Sequence, residues 1–189
     1  METRNILLCG LGGQGILFMT KILAQTAMAK GFNMMGAETH GMAQRGGSVI
    51  SHLRLGEVES SLVRTGSAHI LLALEKNEGY RNLPFLSNGA QMFVNAGTDD
   101  FPVEEVKTFL KKHQVACHTI PASELAQDLG APLSSNLALL GFFSAFDEGP
   151  VSHDELRATI ENISPDRFKD NNLKVFDAGL QRGLAKRGK

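Results

Sequence analysis

The stretch "NILLCGLGGQGILFM" (residues 5–19) decides the fold of this chain. Its first five residues form a short apolar run that glycines end, which is typical of a buried β-strand. After the run, Gly10, Gly12 and Gly15 have the G-x-G-x-x-G spacing, and apolar residues from Ile16 onward recur at helical intervals. Glycines permit a tight turn between strand and helix, and the N–H groups at the helix start favour an anion. The stretch therefore predicts a strand–loop–helix unit that binds a phosphate or another anionic group.

Further strands and helices alternate along the rest of the chain. Apolar runs predict strands at 32–37, 48–56, 69–74, 90–95 and 115–120, and a hairpin is expected between 48–56 and the segment 60–63. Helices are predicted in the polar segment 75–86, at 102–113, in the apolar segment 134–146, after a Ser152–Glu155 capping box and after Ser164-Pro165. In the last helix, one face is expected to consist of Leu173, Phe176, Leu180 and Leu184. The alternation predicts one α/β domain over residues 1–189: a Rossmann-like open sheet, largely parallel, with helices on both faces and a helical C-terminal third.

The composition excludes several classes of protein. The chain has 189 residues, of which 42% are hydrophobic, and a net charge of -1, which suits one soluble globular domain. The absence of a basic excess argues against nucleic-acid binding, and no apolar run reaches transmembrane length, so a cytoplasmic protein is expected. Cys9 and Cys117 lie far apart and in no CxxC pair, so we expect buried thiols and no iron–sulfur cluster or metal held by this chain alone.

A dinucleotide cofactor is one interpretation of the glycine loop. Glu38 stands near the end of the second predicted strand, where dinucleotide-binding proteins place the acid that binds a ribose hydroxyl. However, Glu38 falls 23 residues after Gly15, which is late for this fingerprint, and it opens a segment rich in reactive side chains. A different anionic ligand, and a glycine turn that only packs helix against strand, are the alternatives.

The segment "GAETHGMAQRGGSVISH" (residues 36–52) is unusually dense in polar and glycine residues. Its candidate ligand contacts are Glu38, His40, Gln44 and Arg45. Its glycines, which let the backbone bend around a ligand, are Gly41, Gly46 and Gly47. Arg45 suits a carboxylate or phosphate because its guanidinium group is a planar fork of donors. The acid and histidines lack the spacing of a zinc or iron site, and Ser48 lacks a nucleophile elbow. The residues alone thus indicate a polar ligand or partner contact, or a solvated turn, but no reaction.

Two motifs together resemble a known family. "ILLCGLGGQGI" followed by "AETHGMAQRGGSVISHLRLG" resembles the gamma-type component of the 2-oxoacid:ferredoxin oxidoreductases, the pyruvate/ketoisovalerate family. The form "ETHGMAQRGG" is similar to the small (beta) subunit of indolepyruvate:ferredoxin oxidoreductase. The resemblance continues through residues 60–95, "SNLALLGFF" (135–143) and "NNLKVFDAGL" (171–180), and it departs at His69, where family members usually carry aspartate.

The resemblance implies a division of labour between subunits. Complexes of this family oxidatively decarboxylate a 2-oxoacid, with coenzyme A as acyl acceptor and ferredoxin as electron acceptor. Thiamine diphosphate, Mg²⁺ and [4Fe-4S] clusters are implied to lie on a larger partner subunit. This chain is then expected to be inactive alone, to contribute coenzyme A binding and one wall of the active site, and to serve an arylpyruvate such as indolepyruvate. A homodimer of the isolated chain is a further expectation.

The family pattern also implies which residues form the site. The implied coenzyme A-binding residues are Gly10, Gly12, Gly13, Gln14, Gly15, Gly41, Arg45, Gly46, Gly47, Ser48 and Asn136. The implied active-site wall consists of Glu38, His40, Gln44 and Arg45. Arg45 is expected to contact the anion, and Asn136 is expected to close the same pocket. Two other functions are open: a self-sufficient NAD- or FAD-dependent dehydrogenase, and a non-catalytic scaffold subunit.

Overall fold

Within the residues that the structure describes, six strands form one mixed sheet. They are β1 (Arg4–Leu11), β2 (Met34–His40), β3 (Ser48–Leu55), β4 (Ala68–Ala73), β5 (Leu86–Asn95) and β6 (Ala116–Ile120). Their order across the sheet is β2-β3-β1-β4-β5-β6. Strands β1, β4, β5 and β6 are parallel neighbours, whereas β3 runs antiparallel to both β1 and β2. The structure is a computed structural model that describes residues 2–40, 46–97 and 101–188, the side chain of His40 excepted.

Helices cover both faces of the sheet. They are α1 (Ile16–Ala29), α2 (Lys76–Arg81), α3 (Glu104–Lys112), α4 (Ala122–Asp128), α5 (Ser135–Ser144), α6 (His153–Ile163) and α7 (Asp166–Arg187). Short 3-10 turns occupy Leu83–Phe85 and Pro132–Ser134. One face packs under α2 and α3, and the other under α1 and α4 to α7. The predicted α/β fold with a helical C-terminal third is confirmed; only the short helix α4 was not predicted.

The central strand β1 belongs to both cores. Ile6 and Leu8 point into the core beneath α1, α5 and α7, while Leu7 and Cys9 point into the core beneath α2 and α3. All four side chains are fully buried, because successive side chains of a strand alternate between two covered faces. The continuous apolar run in the sequence follows from this burial on both sides.

The predicted hairpin between 48–56 and 60–63 is wrong. Residues 60–63 have no strand structure, and the hairpin is formed instead by β2 and β3. The reason is that β1 and β2 occupy both edges of β3, so no edge is left for a third partner. The segment is held by a side chain instead: the Val63 N–H donates to Nδ1 of His52 at 3.1 Å.

Helices α5 and α7 pack through glycines, not through the expected leucine face. Side chains at Gly141 of α5 and Gly179 of α7 would each overlap a backbone carbonyl of the other helix. On α7 the buried face includes Phe176 and Gly183, whereas Leu184 is 46% exposed. The apolar pattern of the sequence pointed to leucines, but a close approach of two backbones requires the smallest residue.

Two smaller features complete the fold. The Ser152 hydroxyl and the Glu155 carboxylate form the predicted capping box at the start of α6. Of the helices in the described residues, none is long and apolar enough to cross a membrane.

Candidate ligand site at the glycine loop

The loop between β1 and α1 is held in shape by its own residues. Gly13 and Gly15 have φ angles of 99° and 79°, in the left-handed region that favours glycine. The Leu11 N–H donates to the Gln14 side-chain oxygen at 2.7 Å, and a side chain at Gly10 would lie 2.6 Å from that oxygen. Gln14, a candidate ligand contact, therefore uses its side-chain oxygen to brace the loop.

The start of α1 is suited to an anion. Gly15 occupies the N-cap position, and the described part of the chain supplies no side-chain cap and no acidic residue in the first turn. The N–H groups of a first helical turn lack partners inside the helix and carry the positive end of its dipole. The start of α2 differs, because the Glu75 carboxylate accepts N–H bonds from Asn77 and Glu78 at 2.7 and 3.0 Å. An anion is therefore favoured at α1 and disfavoured at α2.

The loop and the second glycine segment meet. The Gly12 N–H donates to the carbonyl of Gly47 at 2.8 Å, and the Gly46 N–H donates to the carbonyl of Gly12 at 3.4 Å. Leu11 at the end of β1 is paired with Ser48 at the start of β3. Thus the two motifs that were recognised separately in the sequence form one continuous surface.

This surface lies where an α/β sheet usually binds its ligand. The connection after β1 leads towards β2 on one side, and the connection after β4 leads towards β5 on the other. Such a reversal opens a crevice between the carboxyl ends of the two strands, and ligands bind there. The Leu74 N–H donates to the carbonyl of Cys9 at 2.8 Å and so joins the carboxyl ends of β4 and β1.

Asn136 is locked beside the loop. Its side chain is 4% exposed, its amide donates to the carbonyl of Gly15 at 3.1 Å, and its oxygen accepts the Leu137 N–H at 2.9 Å. A side chain at Gly15 would lie 2.5 Å from the Asn136 amide nitrogen. The structure thus places Asn136 at the loop, whereas a contact with ligand stays a prediction.

An apolar cleft opens next to Gly15. Its volume is about 380 Å³, and its lining includes Phe18, Leu133, Asn136 and Phe168. Leu133 is 86% exposed and Phe168 is 45% exposed. The polar loop therefore has an apolar neighbour that suits the non-ionic part of a ligand.

Glu78 is a site residue that the sequence did not reveal. The Ser48 hydroxyl donates to its carboxylate at 2.6 Å, and Arg81 lies 3.2 Å from the other oxygen. Glu78 is 3% exposed, and its carboxylate is paired with Arg81. It lies directly beneath Ser48, next to Gly46 and Gly47. The i,i+3 spacing of Glu78 and Arg81 is visible in the sequence, but it looks like an ordinary surface pair. The burial of the acid was the missing information.

Glu38 does not have the position of a ribose-binding acid. It lies on the edge strand β2, and β3 separates that strand from β1. Two strand spacings amount to about 10 Å. In a dinucleotide-binding sheet the acid follows the strand adjacent to β1. The intervening antiparallel strand therefore removes the geometry on which the NAD or FAD interpretation depended.

Several candidate residues lie outside the described residues. These are Gly41, Gln44 and Arg45, together with the side chain of His40. Their assignment as ligand contacts rests on the sequence alone and stays a prediction.

The cysteines and acids offer little for metal or thiol chemistry. Among the residues with described positions, no group of three or more histidine, cysteine or acidic side chains could hold a metal ion. Both thiols are free; Cys9 is fully buried, as expected, whereas Cys117 is only half-buried. Burial raises the pKa of the Cys9 thiol far above its ordinary value, and Glu78 adds to the effect. Burial also raises the pKa of Cys117 to about 11, although the positive charge of Lys186 acts to lower that pKa.

Sequence relatives of the chain are subunits of 2-oxoacid oxidoreductases. It is 34% identical to the indolepyruvate oxidoreductase subunit IorB of Archaeoglobus fulgidus, over 97% of this chain and 96% of that protein. It is also 34% identical to the IorB subunit of Methanothermobacter thermautotrophicus, over 93% of this chain and 95% of that protein. The ketoisovalerate oxidoreductase subunit VorA of Methanothermobacter marburgensis is 29% identical over 93% of this chain, which covers 35% of that longer protein.

Solved structures share the fold. A keto/oxoacid ferredoxin oxidoreductase gamma subunit from Geobacter sulfurreducens superposes with a TM-score of 0.76 at 22% identity, covering 96% of this chain and 99% of that one. The 2-oxoglutarate:ferredoxin oxidoreductase of Magnetococcus marinus, solved with 2-oxoglutarate, coenzyme A and succinyl-CoA bound, superposes with a TM-score of 0.79 at 20% identity. This superposition covers 98% of the present chain and 32% of the Magnetococcus marinus chain. The pyruvate ferredoxin/flavodoxin oxidoreductase family model matches residues 5–182, so the chain belongs to that family.

Proposed function

We propose that this chain is the small subunit of a multi-subunit 2-oxoacid:ferredoxin oxidoreductase that acts on an arylpyruvate. The observation that carries the proposal is the similarity to IorB subunits along nearly the whole of both chains. In this proposal the chain works in the cytoplasm, and ferredoxin accepts the electrons of the assembled complex. The 2-oxoacid is oxidatively decarboxylated, and coenzyme A receives the acyl group.

The chain's own contribution is coenzyme A binding at the glycine loop and one wall of the active site. The uncapped start of α1 and its backbone N–H groups suit a phosphate of coenzyme A. The apolar cleft beside Gly15 suits a less polar part of the same molecule. Arg45 and Glu38 then belong to the wall that faces the partner subunit.

The redox cofactors belong to the partner. Thiamine diphosphate with Mg²⁺ and the [4Fe-4S] clusters lie on the large subunit in this proposal. The sequence supports this assignment in that its two cysteines, Cys9 and Cys117, are far apart and form no CxxC pair. Chemistry on the thiamine ring is then the cofactor's, and this chain supplies orientation and charge.

Reconstitution with the large subunit tests the proposal directly. The isolated chain is expected to be inactive with any 2-oxoacid, and activity with indolepyruvate, coenzyme A and an electron acceptor is expected on mixing. Turnover by the small chain alone would refute the division of labour. Tight binding of NAD(H) or NADP(H) in calorimetric titration would instead support the dehydrogenase alternative.

A pair of glycine variants tests the coenzyme A site. Gly13 has a φ of 99° and open space around the position of a side chain, as does Gly89 with a φ of 75° at the far end of the sheet. Both Gly13→Ala and Gly89→Ala therefore add similar backbone strain, but only the first places a methyl group in the proposed ligand space. We expect Gly13→Ala alone to raise the KM for coenzyme A in the assembled enzyme. Equal KM values for both variants would place coenzyme A elsewhere.

Replacement of Arg45 separates ligand binding from scaffolding. In the assembled complex, Arg45→Ala is expected to raise the KM for coenzyme A or the 2-oxoacid at least tenfold, because a charged hydrogen bond is worth about 1.5–3 kcal/mol. Unchanged KM values together with weakened assembly would make this chain a scaffold.

A further inference from the structure

The two edges of the sheet are finished differently. On β6, the carbonyl of Ile120 points towards β5, because it accepts the N–H of Ala96, the residue after β5. The carbonyl of the preceding Thr119 therefore points away from the sheet. Lys186 of α7 donates to that outward carbonyl at 2.9 Å. A lysine on an edge is one of the devices by which proteins prevent further strand pairing. Lys186 therefore blocks this edge at Thr119.

The other edge, β2, presents backbone groups outward. The Gly56 N–H donates to the carbonyl of Asn33, which makes the odd-numbered residues of β2 the hydrogen-bonded partners of β3. Because hydrogen-bonding direction alternates along an antiparallel strand, the N–H and carbonyl groups of Met34 and Gly36 point away from the sheet.

The sequence of β2 contains few of the usual protections of an edge. "MMGAETH" has seven residues, no proline and one charged residue, Glu38, and its pairing with β3 has no register shift. Met35, Gly36 and Thr39 are exposed. A regular, weakly charged and exposed edge of this length is a template for another strand.

We infer that, in the isolated chain, β2 pairs antiparallel with β2 of a second copy of this chain, around a two-fold axis at Gly36. This register places Met34 of each copy opposite Glu38 of the other, so the two carboxylates never face one another. The contact uses the same edge on both copies, so it ends in a dimer and not in a fibre.

The surroundings of Gly36 fit such an axis. Glycine leaves the centre of the contact free of side chains. A groove of about 460 Å³ runs beside it between α1 and strands β2 and β3, lined in part by Leu17, Lys21 and Met34. Antiparallel pairing puts the same face of both sheets on the same side, so this groove and its copy meet at the axis. The 43% exposed Leu17 then gains an apolar neighbourhood from the second copy.

The mass of the isolated full-length chain tests this contact without reference to its activity. Light scattering after size exclusion is expected to give twice the chain mass of 20.4 kDa. A side chain at Gly36 would have His52 O at 3.4 Å as its nearest neighbour, so Gly36→Lys fits the fold and puts two like charges at the axis. We expect Gly36→Lys to be monomeric, with at least a tenfold weaker dimer. Met28→Lys, at a 57% exposed position on α1, is the control that stays dimeric.

Disulfide trapping checks the register with a second variant. Hydrogen-bonded antiparallel residues have Cα atoms about 5.5 Å apart, which suits a disulfide. Gly36→Cys is therefore expected to form a covalent dimer under mild oxidation, whereas Met28→Cys is not. A monomeric wild-type chain at every concentration would overturn the inference, as would a dimer that Gly36→Lys leaves intact. A monomeric chain whose Gly36→Lys variant no longer assembles with the large subunit would overturn it in favour of a partner strand on this edge.

Discussion

Replacement of Gly15 by alanine tests how the loop and the C-terminal helices are joined. Gly15 begins α1 with a φ of 79°, and a side chain there would lie 2.5 Å from the amide nitrogen of Asn136. That amide donates to the carbonyl of Gly15 itself. Gly15→Ala must therefore both strain the backbone and displace a buried amide from its acceptor.

The two costs can be separated in magnitude. Left-handed backbone costs a non-glycine residue about 1–2 kcal/mol. An amide that loses its partner while 4% exposed costs about 1–3 kcal/mol more. We thus expect Gly15→Ala to lower the free energy of unfolding by about 2–5 kcal/mol. Gly13→Ala, with a φ of 99° and no atom within 4 Å, should cost the backbone strain alone.

A double-mutant cycle with Asn136→Ala is the decisive assay. Urea unfolding of the wild type, both single variants and the double variant gives the coupling between the two positions. In the Asn136→Ala background the obstacle to a methyl group is gone, so Gly15→Ala should cost only about 1–2 kcal/mol. If Gly15→Ala costs the same in both backgrounds, the contact with Asn136 is not what fixes glycine at this position.

Four further outcomes follow from the cores. Ser51→Ala should leave the free energy of unfolding unchanged or raise it by up to about 1 kcal/mol, since its buried hydroxyl has no hydrogen-bond partner among the described residues. Thr26→Val, which removes a bonded hydroxyl, should lower the same quantity by about 1 kcal/mol in parallel urea titrations. Gly141→Ala should lower the free energy of unfolding by about 3 kcal/mol, and with it the melting temperature, because its methyl group would overlap the Phe176 carbonyl. A variant that melts like the wild type would contradict the close packing of α5 and α7 at their glycines. Burial lowers the pKa of His52 below its ordinary 6.5. As the pH falls, His52 is therefore protonated in the unfolded chain at a higher pH than in the folded chain. The contribution of neutral His52 to the free energy of unfolding is then fully present above pH 6.5 and declines as the pH falls. His52→Gln should therefore flatten the pH dependence of the free energy of unfolding between pH 5 and 7.

Local patterns predicted the parts of the fold that local interactions determine. The strand, glycine loop and helix at the N-terminus were correct, because alternating burial and helical spacing act within neighbouring residues. The order of strands was not visible, since the insertion of β3 between β1 and β2 depends on pairs that run from Leu11–Ser48 to Arg4–Leu55, far apart in the sequence. The hairpin assigned to 60–63 failed for the same reason.

The site was predicted where its residues carry a motif and missed where only burial marks them. The motifs named Gly12, Gly47 and Asn136, and the structure brings all three to one loop surface. Glu78 was missed because its sequence neighbours look like a polar surface helix, and its burial depends on Ser48 from a distant strand. Glu38 was named as a candidate ligand contact, which stays a prediction, and its distance from β1 depends on the order of strands in the sheet.

The position of the glycine crossing late in the chain has a consequence for biosynthesis. The face under α2 and α3 is complete once β6 has been made, whereas the other face also needs α5 and α7, and α7 ends at Arg187. Ribosomes release the N-terminal part first, at about 5–20 residues per second. During that interval the nascent chain presents Ile6 and Leu8 on a sheet face that α1 covers only in part. The synthesis of α7 therefore determines when this sheet face is covered, and a chain truncated before residue 166 should aggregate.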